Sequence, residues 1–208
     1  RDPLWSRGLG DVYKRQREII KDYAEQYYQH VKAFPRYISA THSICEDLEK
    51  RRILLENLQD EENKDGDHPK LWKNFAKALG ADEKEIEKVK LDWFTKDMID
   101  NFFSQARKSY AEGLASLYTY ERQIPEIAET KIQGLKKFYG VKSKEGLEFF
   151  EAHKSADVIH RAECEKLLDS LSKEEQKKAE TASLLTARYL WNFLSGMTTK
   201  HKLQTIAA

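Results

Sequence analysis

Three side chains of metal-binding types recur at helical spacing in the C-terminal half of this 208-residue sequence: His153, Asp157 and His160. On an α-helix, positions i, i+4 and i+7 lie on one face over two turns, so the three side chains point the same way. Histidine together with carboxylate suits iron, manganese or zinc better than calcium. The alternative is a solvated polar stripe, which the neighbouring Phe149 and Phe150 make less attractive.

A second pair of such residues stands at a predicted helix end. Glu61 ends one predicted helix, and His68 follows the acidic, glycine-containing loop 63–67. A loop of this length can fold back and bring both side chains to one point. A solvated helix end followed by a turn is the alternative that the sequence leaves open.

A third carboxylate, Glu121, lies among tyrosines just before Pro125. A buried carboxylate there would require a cation or a metal, because burial of an unpaired charge is costly. A surface pair with Arg122 or Lys131 is the alternative. Helical bundles build dinuclear metal sites from carboxylates and histidines on several helices. Here three predicted helices would each supply a carboxylate, and two of them would also supply histidine. The residues predicted to bind two metals are therefore Glu61, His68, Glu121, His153, Asp157 and His160.

The elements that position these residues are predicted to be helices throughout. Apolar residues from Arg17 onward recur at helical spacing, and nine Gly and four Pro are too few for the turns of an all-β fold. The first helix is predicted to stop before Pro35, a second to span about 36–62, and a later one to break near Ser109. The sequence thus predicts an all-α bundle of seven to eight helices. Further helix starts are predicted at Asp82, Pro125, Ser143 and Ser172.

Composition narrows the class of protein. A net charge of +1 with both signs interleaved gives no footprint for nucleic acid. Neither a long apolar run nor a signal-peptide pattern is present, which disfavours membrane and secreted proteins. Cys45 and Cys164 lie in helical patterns without CxxC spacing and are predicted to be buried free thiols of a cytoplasmic protein.

The first sixteen residues differ from the rest. They carry four basic and two acidic residues and show no periodicity, and they resemble translated adapter read-through. We therefore predict that residues 1–16 are a non-native segment and that 17–208 form a single domain.

Several stretches together resemble a known family: DYAEQYYQHVKAFPRYISATHS, LYTYERQIPEIAETKI and FFEAHKSADVIHRAE. The sequence is similar to the Chlamydia protein associating with death domains and its bacterial relatives. That family belongs to the heme-oxygenase-like superfamily, with the TenA thiaminases and the quinone-cofactor synthase PqqC. The similarity extends over nearly all of residues 17–194.

The resemblance implies a heme-oxygenase-like bundle with two iron ions, or one iron and one manganese, bound by the same six residues. It implies an oxygen-dependent enzyme that makes p-aminobenzoate for folate biosynthesis from dioxygen, a reductant and one of its own tyrosines. By the same resemblance, Lys131 would supply the amino group, and Tyr23 and Tyr120 would transfer radicals to the metals. Relatives in the superfamily often dimerise, so a homodimer is an expectation.

One departure from the family concerns the tyrosine that becomes product, which in the family lies upstream of the matched region. Tyr13 does not align with it. The resemblance therefore predicts that this 208-residue chain binds metal and activates oxygen without releasing p-aminobenzoate. The alternatives are a cofactorless PqqC-like oxidase, a TenA-like thiaminase with an active-site cysteine, and a protein-interaction module. Metal content distinguishes the di-metal oxidase from these three alternatives, because only the oxidase requires two bound metal ions.

Overall fold

The computed structural model describes residues 4–64, 66–122 and 124–203, without the side chains of 4–15, 125, 126 and 155–159. Within these residues the chain forms nine α-helices and no strand. None of these helices combines the length and the low charge needed to cross a bilayer. The predicted all-helical bundle is confirmed, with nine helices in the described residues where seven to eight were expected. The helices are α1 (Leu4–Ser43), α2 (Leu48–Glu61), α3 (His68–Ala78), α4 (Glu83–Lys88), α5 (Trp93–Lys108), α6 (Tyr110–Glu121), α7 (Ile124–Phe138), α8 (Lys144–Asp169) and α9 (Lys173–Lys200).

The predicted break before Pro35 is wrong, because α1 continues through this residue to Ser43. The predicted second helix over 36–62 is also wrong, because α1 contains its first residues and α2 begins only at Leu48. Proline inside a helix costs about 3 kcal/mol, since it removes a backbone hydrogen bond and crowds the preceding turn. Tyr37 and Ile38, which follow it, are fully buried. Burial of such side chains contributes about 1.5–3 kcal/mol each, so the packed face of α1 outweighs the proline.

The helix starts and the central break follow the predicted signals closely. Ser109 ends α5 and caps α6, its hydroxyl accepting a hydrogen bond from the Glu112 backbone N–H. Ser172 caps α9 in a reciprocal capping box with Glu175. At the other end, the backbone of α1 is helical from Leu4, within the segment that lacked a sequence period. The non-native origin of residues 1–16 stays a prediction.

Helix α6 lies at the centre of the bundle, against α1, α5, α8 and α9. Its small residues permit this close packing. A Cβ on Gly113 would lie 2.5 Å from the Thr41 Oγ1 atom of α1 and 3.2 Å from the Cα of Ala106 in α5. Close contact between α1 and α6 fixes the buried C-terminal turn of α6, where Tyr120 and Glu121 lie.

Candidate metal centre and adjoining cavity

A buried carboxylate–imidazole contact joins the end of α2 to the start of α3. Asp67 caps α3 by accepting a hydrogen bond from the Lys70 backbone N–H at 2.7 Å, which turns the chain back after α2. Glu61 Oε2 then lies 2.7 Å from His68 Nδ1, and both residues are buried. The contact lacks hydrogen-bond geometry, so the buried Nδ1 has no hydrogen-bond partner. The structure thus brings these two predicted ligands together, with their donor atoms converging.

His153 on α8 completes a group of three. Its Nδ1 donates a hydrogen bond to the Phe149 carbonyl at 2.6 Å, which leaves Nε2 with the lone pair that a metal needs. The His153 ring lies 4.3 Å from the His68 ring. One ligand atom from each of Glu61, His68 and His153 lies within 4.8 Å of the other two. Three separate helices therefore meet at one buried point.

The protonation of the two imidazoles differs in the metal-free chain. Burial, reinforced by the nearby His68, lowers the pKa of His153 to about 3, so this imidazole is neutral at neutral pH. Burial also opposes a charge on His68, but the Glu61 carboxylate outweighs it and leaves the His68 pKa raised. A metal ion would replace the proton that Glu61 and His68 attract between them.

Glu121 is buried at the end of α6, so the alternative of a surface ion pair is wrong. Asn57 of α2 donates a hydrogen bond to its Oε1 at 2.7 Å, and the Cys164 thiol lies 3.6 Å from its Oε2. Burial raises the pKa of Glu121 to about 7, with Glu61 adding to the rise and His160 opposing it. Glu121 is therefore an electrostatic neighbour of two other predicted ligands.

His160 is buried on α8 and faces α2, where its Nε2 lies 3.0 Å from Asp60 Oδ2. It is not one of the three converging residues. Asp157 belongs to the same helix, and its side chain lies outside the described residues. Among the six predicted ligands, the structure thus gathers three at one point and places Glu121 and His160 beside them.

This donor set fits a metal ion of the iron, manganese or zinc type. Two imidazoles and a carboxylate converge in a buried space, and one buried imidazole nitrogen has no hydrogen-bond partner. A thiol nucleophile is not found, because burial raises the pKa of both Cys45 and Cys164. The buried, free state predicted for both cysteines is confirmed.

The other three predicted site residues line one cavity of about 460 Å³. Lys131 of α7 donates a hydrogen bond from Nζ to the Tyr23 hydroxyl of α1 at 2.6 Å. Four aromatic rings lie 4.9–6.0 Å from the same Nζ, those of Tyr23, Tyr27, Trp72 and Phe150. Tyr120 reaches the cavity from the end of α6. The structure therefore brings Lys131, Tyr23 and Tyr120 to one place.

A layer of aromatic rings separates this cavity from the metal-binding residues. Trp72 is one helical turn after His68 on α3, and its indole N–H donates to the Ala24 carbonyl at 2.7 Å. The Trp72 ring lies 5.1 Å from Tyr27 and 4.7 Å from Phe149, and Phe149 lies 4.1 Å from His153. Ring-to-ring contacts thus connect the cavity to the metal ligands.

Sequence reasoning missed three residues of this arrangement: Asn57, Tyr27 and Trp72. Asn57 could have been found, because it precedes Glu61 by four residues and so shares its helix face. Tyr27 follows Tyr23 by the same spacing, and its ring stacks on Tyr23 at 5.4 Å. Trp72 follows His68 by four residues too. The i, i+4 spacing from a chosen residue is the signal that was available for each.

The comparison with known families bears directly on this site. A family described as iron-containing redox enzymes matches residues 21–191 of the chain. The chain belongs to this family. A 4-aminobenzoate synthase of Chlamydia trachomatis is 41% identical over 191 residues, which are 91% of this chain and 80% of the relative. The 4-aminobenzoate synthase of Nitrosomonas europaea is 37% identical over 207 residues, 93% of this chain and 81% of that protein.

Solved structures support the fold. A TenA homologue from Pseudomonas syringae superposes with a TM-score of 0.76 at 16% identity, over 88% of this chain and 80% of that one. A domain with a heme oxygenase-like fold from Shewanella denitrificans gives a TM-score of 0.74 at 15% identity, over 92% and 82%. The bundle is therefore heme-oxygenase-like, and the chain is an enzyme of an iron-containing redox family.

Proposed function

We propose that this enzyme is a dinuclear oxidase, with two irons or one iron and one manganese, that uses dioxygen and a reductant in the 4-aminobenzoate-forming chemistry of folate biosynthesis, with one of the enzyme's own tyrosines as the ring source. The observation that carries the proposal is the juxtaposition of two buried sites. The converging Glu61, His68 and His153 lie one aromatic layer from the cavity that holds Lys131. Relatives about 40% identical carry the name of this activity.

The metal ions would be bound by Glu61, His68, Glu121, His153, Asp157 and His160. When bound, they would supply the activation of dioxygen, the kind of redox chemistry that a cofactor usually carries. The protein's contribution is to fix donor atoms before the metals arrive. Asn57 orients Glu121, the Phe149 carbonyl fixes the tautomer of His153, and the Asp60 carboxylate contacts His160. Each of these contacts restricts the orientation of one proposed ligand.

Lys131 would supply the amino nitrogen of the product. Its hydrogen bond to Tyr23 and the surrounding rings hold Nζ at the cavity wall, where a ring can approach it. The lining is otherwise almost entirely apolar, which excludes water from reactive intermediates. Positioning a nitrogen donor beside a bound ring converts a bimolecular step into a local one.

Tyr23 and Tyr120 would carry electrons from the cavity towards the metals. A tyrosine that is oxidised must release its phenolic proton, so it needs a hydrogen-bond partner. Tyr23 has Lys131, and Tyr120 has a hydrogen bond with Tyr27. The Trp72 ring lies 6.0 Å from Tyr23 and 4.7 Å from Phe149, and Phe149 lies 4.1 Å from His153, so aromatic rings lead from Tyr23 towards the metal ligands.

Metal content and oxygen uptake test the proposal together. Metal-free protein is loaded with iron, or with iron and manganese, and is then assayed by elemental analysis and with an oxygen electrode in the presence of a reductant. We expect about two metal ions per chain, metal-dependent dioxygen consumption, and loss of both in His153→Ala. A loaded wild-type chain that consumes no dioxygen would contradict the proposal. Release of 4-aminobenzoate, scored in parallel by mass spectrometry, reports whether the ring source lies within these 208 residues.

A further inference from the structure

A continuous series of packed aromatic rings leads from the surface of the bundle to the metal ligands. It begins at Trp93, which is 67% exposed at the start of α5. Consecutive ring centroids in the series are 4.1–5.9 Å apart, and its members in order are Trp93, Phe94, Phe193, Tyr27, Trp72, Phe149 and His153. The two indoles are the members that can lose an electron before they lose a proton.

The packing of α9 against α5 fixes the middle of this series. Phe94 of α5 and Phe193 of α9 are both buried, and their ring centroids lie 5.9 Å apart. A Cβ on Gly196 of α9 would collide with the Phe94 ring, so the close approach of α9 to this ring requires a glycine. Tight packing of this kind holds the rings in one arrangement.

The two indoles at different depths differ in what they can do with a proton. Trp72 is fully buried, and its N–H donates to the Ala24 backbone carbonyl, which is too weak a base to take the proton away. An indole cation at Trp72 would stay charged in an apolar environment, which is costly. Trp93 is largely exposed, so water can solvate the cation and accept the indole proton. An electron lost near the metal ligands is therefore replaced most favourably from Trp93.

We propose that Trp93 is the surface end of an electron route to the metal centre, and that a one-electron reductant in solution delivers electrons there. Trp93 would lose one electron through the packed rings towards the oxidised centre, and its indole proton would pass to water. A hydrogen-atom donor of the ascorbate class would then return one electron and one proton, which restores Trp93 and leaves the donor as its monodehydro radical. This inference rests on the proposed function, because that function supplies the oxidised centre and requires a reductant.

Trp191 on α9 is a matched internal control for Trp93. It is 71% exposed, slightly more than Trp93. Among the described side chains, Trp93 contacts another ring and Trp191 does not. A radical that diffuses through the solvent would attack both tryptophans, whereas a route through the rings reaches Trp93 alone. The ratio of oxidation at the two residues therefore distinguishes the two causes.

The test uses the whole iron-loaded chain, hydrogen peroxide as the oxidant and no reductant, followed by peptide mass spectrometry. Hydrogen peroxide takes up two electrons and two protons to give two waters. Trp93 would supply these electrons and protons in successive steps as it takes up one water, so the net change is one oxygen atom added to the indole. We expect oxidised Trp93 in several-fold excess over oxidised Trp191, and neither product in the metal-free chain.

Interruption of the ring series is expected to protect Trp93. Phe193→Leu keeps an apolar side chain but removes the ring that joins Phe94 to Tyr27. We expect it to lower the yield of oxidised Trp93 several-fold at unchanged iron content. Phe138→Leu removes an exposed ring of α7 outside the series and is expected to leave the yield unchanged.

Replacement of the surface indole tests the delivery of electrons without a change in the core. Trp93→Phe is expected to slow the oxidation of ascorbate by the iron-loaded chain with peroxide several-fold, because phenylalanine is much harder to oxidise than tryptophan. Trp191→Phe is expected to leave that rate unchanged. Both residues are exposed, so neither substitution removes buried packing.

The outcomes separate this inference from the proposed function. Equal oxidation of Trp93 and Trp191, or equal rates of ascorbate oxidation in their two variants, would overturn the electron route. A chain that consumes dioxygen but does not favour Trp93 under peroxide rejects the route alone. A chain that favours Trp93 under peroxide but never consumes dioxygen with bound metal rejects the oxidase alone.

Discussion

The two buried regions on either side of Trp72 surround their polar groups in opposite ways. On the metal-binding side, the donor atoms of Glu61, His68 and His153 approach one another. On the cavity side, polar atoms are surrounded by rings. His30 is fully buried with both ring nitrogens unpartnered, and its ring lies 5.1 Å from Tyr27. Convergence of polar atoms predicts a cation between them, whereas isolation among rings predicts a group that must stay neutral.

That difference has an energetic meaning. Unpartnered polar atoms cost about 1–3 kcal/mol each when buried, so neither region is arranged for stability alone. On the metal-binding side the cost would be recovered when a metal binds. On the cavity side His30 has no such recovery, so its two unpartnered nitrogens stay a cost of the fold.

The largest expected effect is on the metal-binding side, for His68→Ala. Loss of a converging imidazole is expected to weaken metal affinity by about 100-fold or more, because even outer-shell contacts are worth about 10–100-fold. Elemental analysis after dialysis against a weak chelator measures this. His42→Ala removes a half-buried imidazole of α1 outside the site and serves as the control. Equal metal retention by the two variants would show that the convergence of donor atoms is not a metal site.

On the cavity side, His30 is expected to make the protein sensitive to acid. Burial lowers the pKa of His30 from the ordinary 6.5 to about 3, so between these values the unfolded chain binds a proton that the native chain does not. Stability therefore falls as the pH drops below 6.5, by about 1.4 kcal/mol per pH unit, or about 3 kcal/mol at pH 4.5.

His30→Leu is expected to lack this contribution. Urea unfolding of wild type and variant at pH 7 and pH 4.5 measures it as the change in their stability difference. All other titrating groups are common to the two proteins and cancel in that difference. Parallel losses of stability in both proteins would mean that His30 is accessible to protons in the native state.

The close contact between α1 and α6, which fixes the end of α6 where Tyr120 and Glu121 lie, is tested by Gly113→Ala. The added methyl group would lie 2.5 Å from Thr41 Oγ1, and that hydroxyl is itself fully buried and donates to the Tyr37 carbonyl at 3.0 Å. Overpacking of this kind costs about 1–3 kcal/mol, more than the gain in helix propensity. We expect a net loss of about 2 kcal/mol in urea unfolding. In the background of Thr41→Ala most of this loss should disappear, and an unchanged loss would place the strain elsewhere.

Much of this arrangement was predictable from local sequence signals. Helix starts at Ser143 and Ser172 follow from a capping hydroxyl, and the i, i+4, i+7 spacing placed His153 and His160 on one helix. Pro35 was misjudged because a local rule was applied where buried packing on both sides of the residue decides. Local propensity is a weak prior whenever a whole helix face is buried.

The approach of residues from different helices was less predictable. The Glu61–His68 contact could be anticipated, because the loop between them is short. Convergence with His153 depends on how α3 packs against α8, and no spacing in the sequence encodes that packing. The same is true of the Lys131–Tyr23 hydrogen bond, whose partners are 108 residues apart. Resemblance to a family supplied the shared ligand set and the separate roles of Lys131 and Tyr23, but not the hydrogen bond between these two. The physical reading of the residues alone left alternatives open.

The smallest expected effect belongs to the open wall of the cavity, at Gly134. A methyl group there meets no atom within 4 Å, whereas the same group at Gly113 would collide with its neighbours. Gly134→Ala is therefore expected to raise stability by up to about 1 kcal/mol through helix propensity, measured as a higher midpoint of urea unfolding. The same replacement would thus have opposite signs at two positions of one bundle. A loss of stability at Gly134 would mean that other side chains already fill this part of the cavity wall.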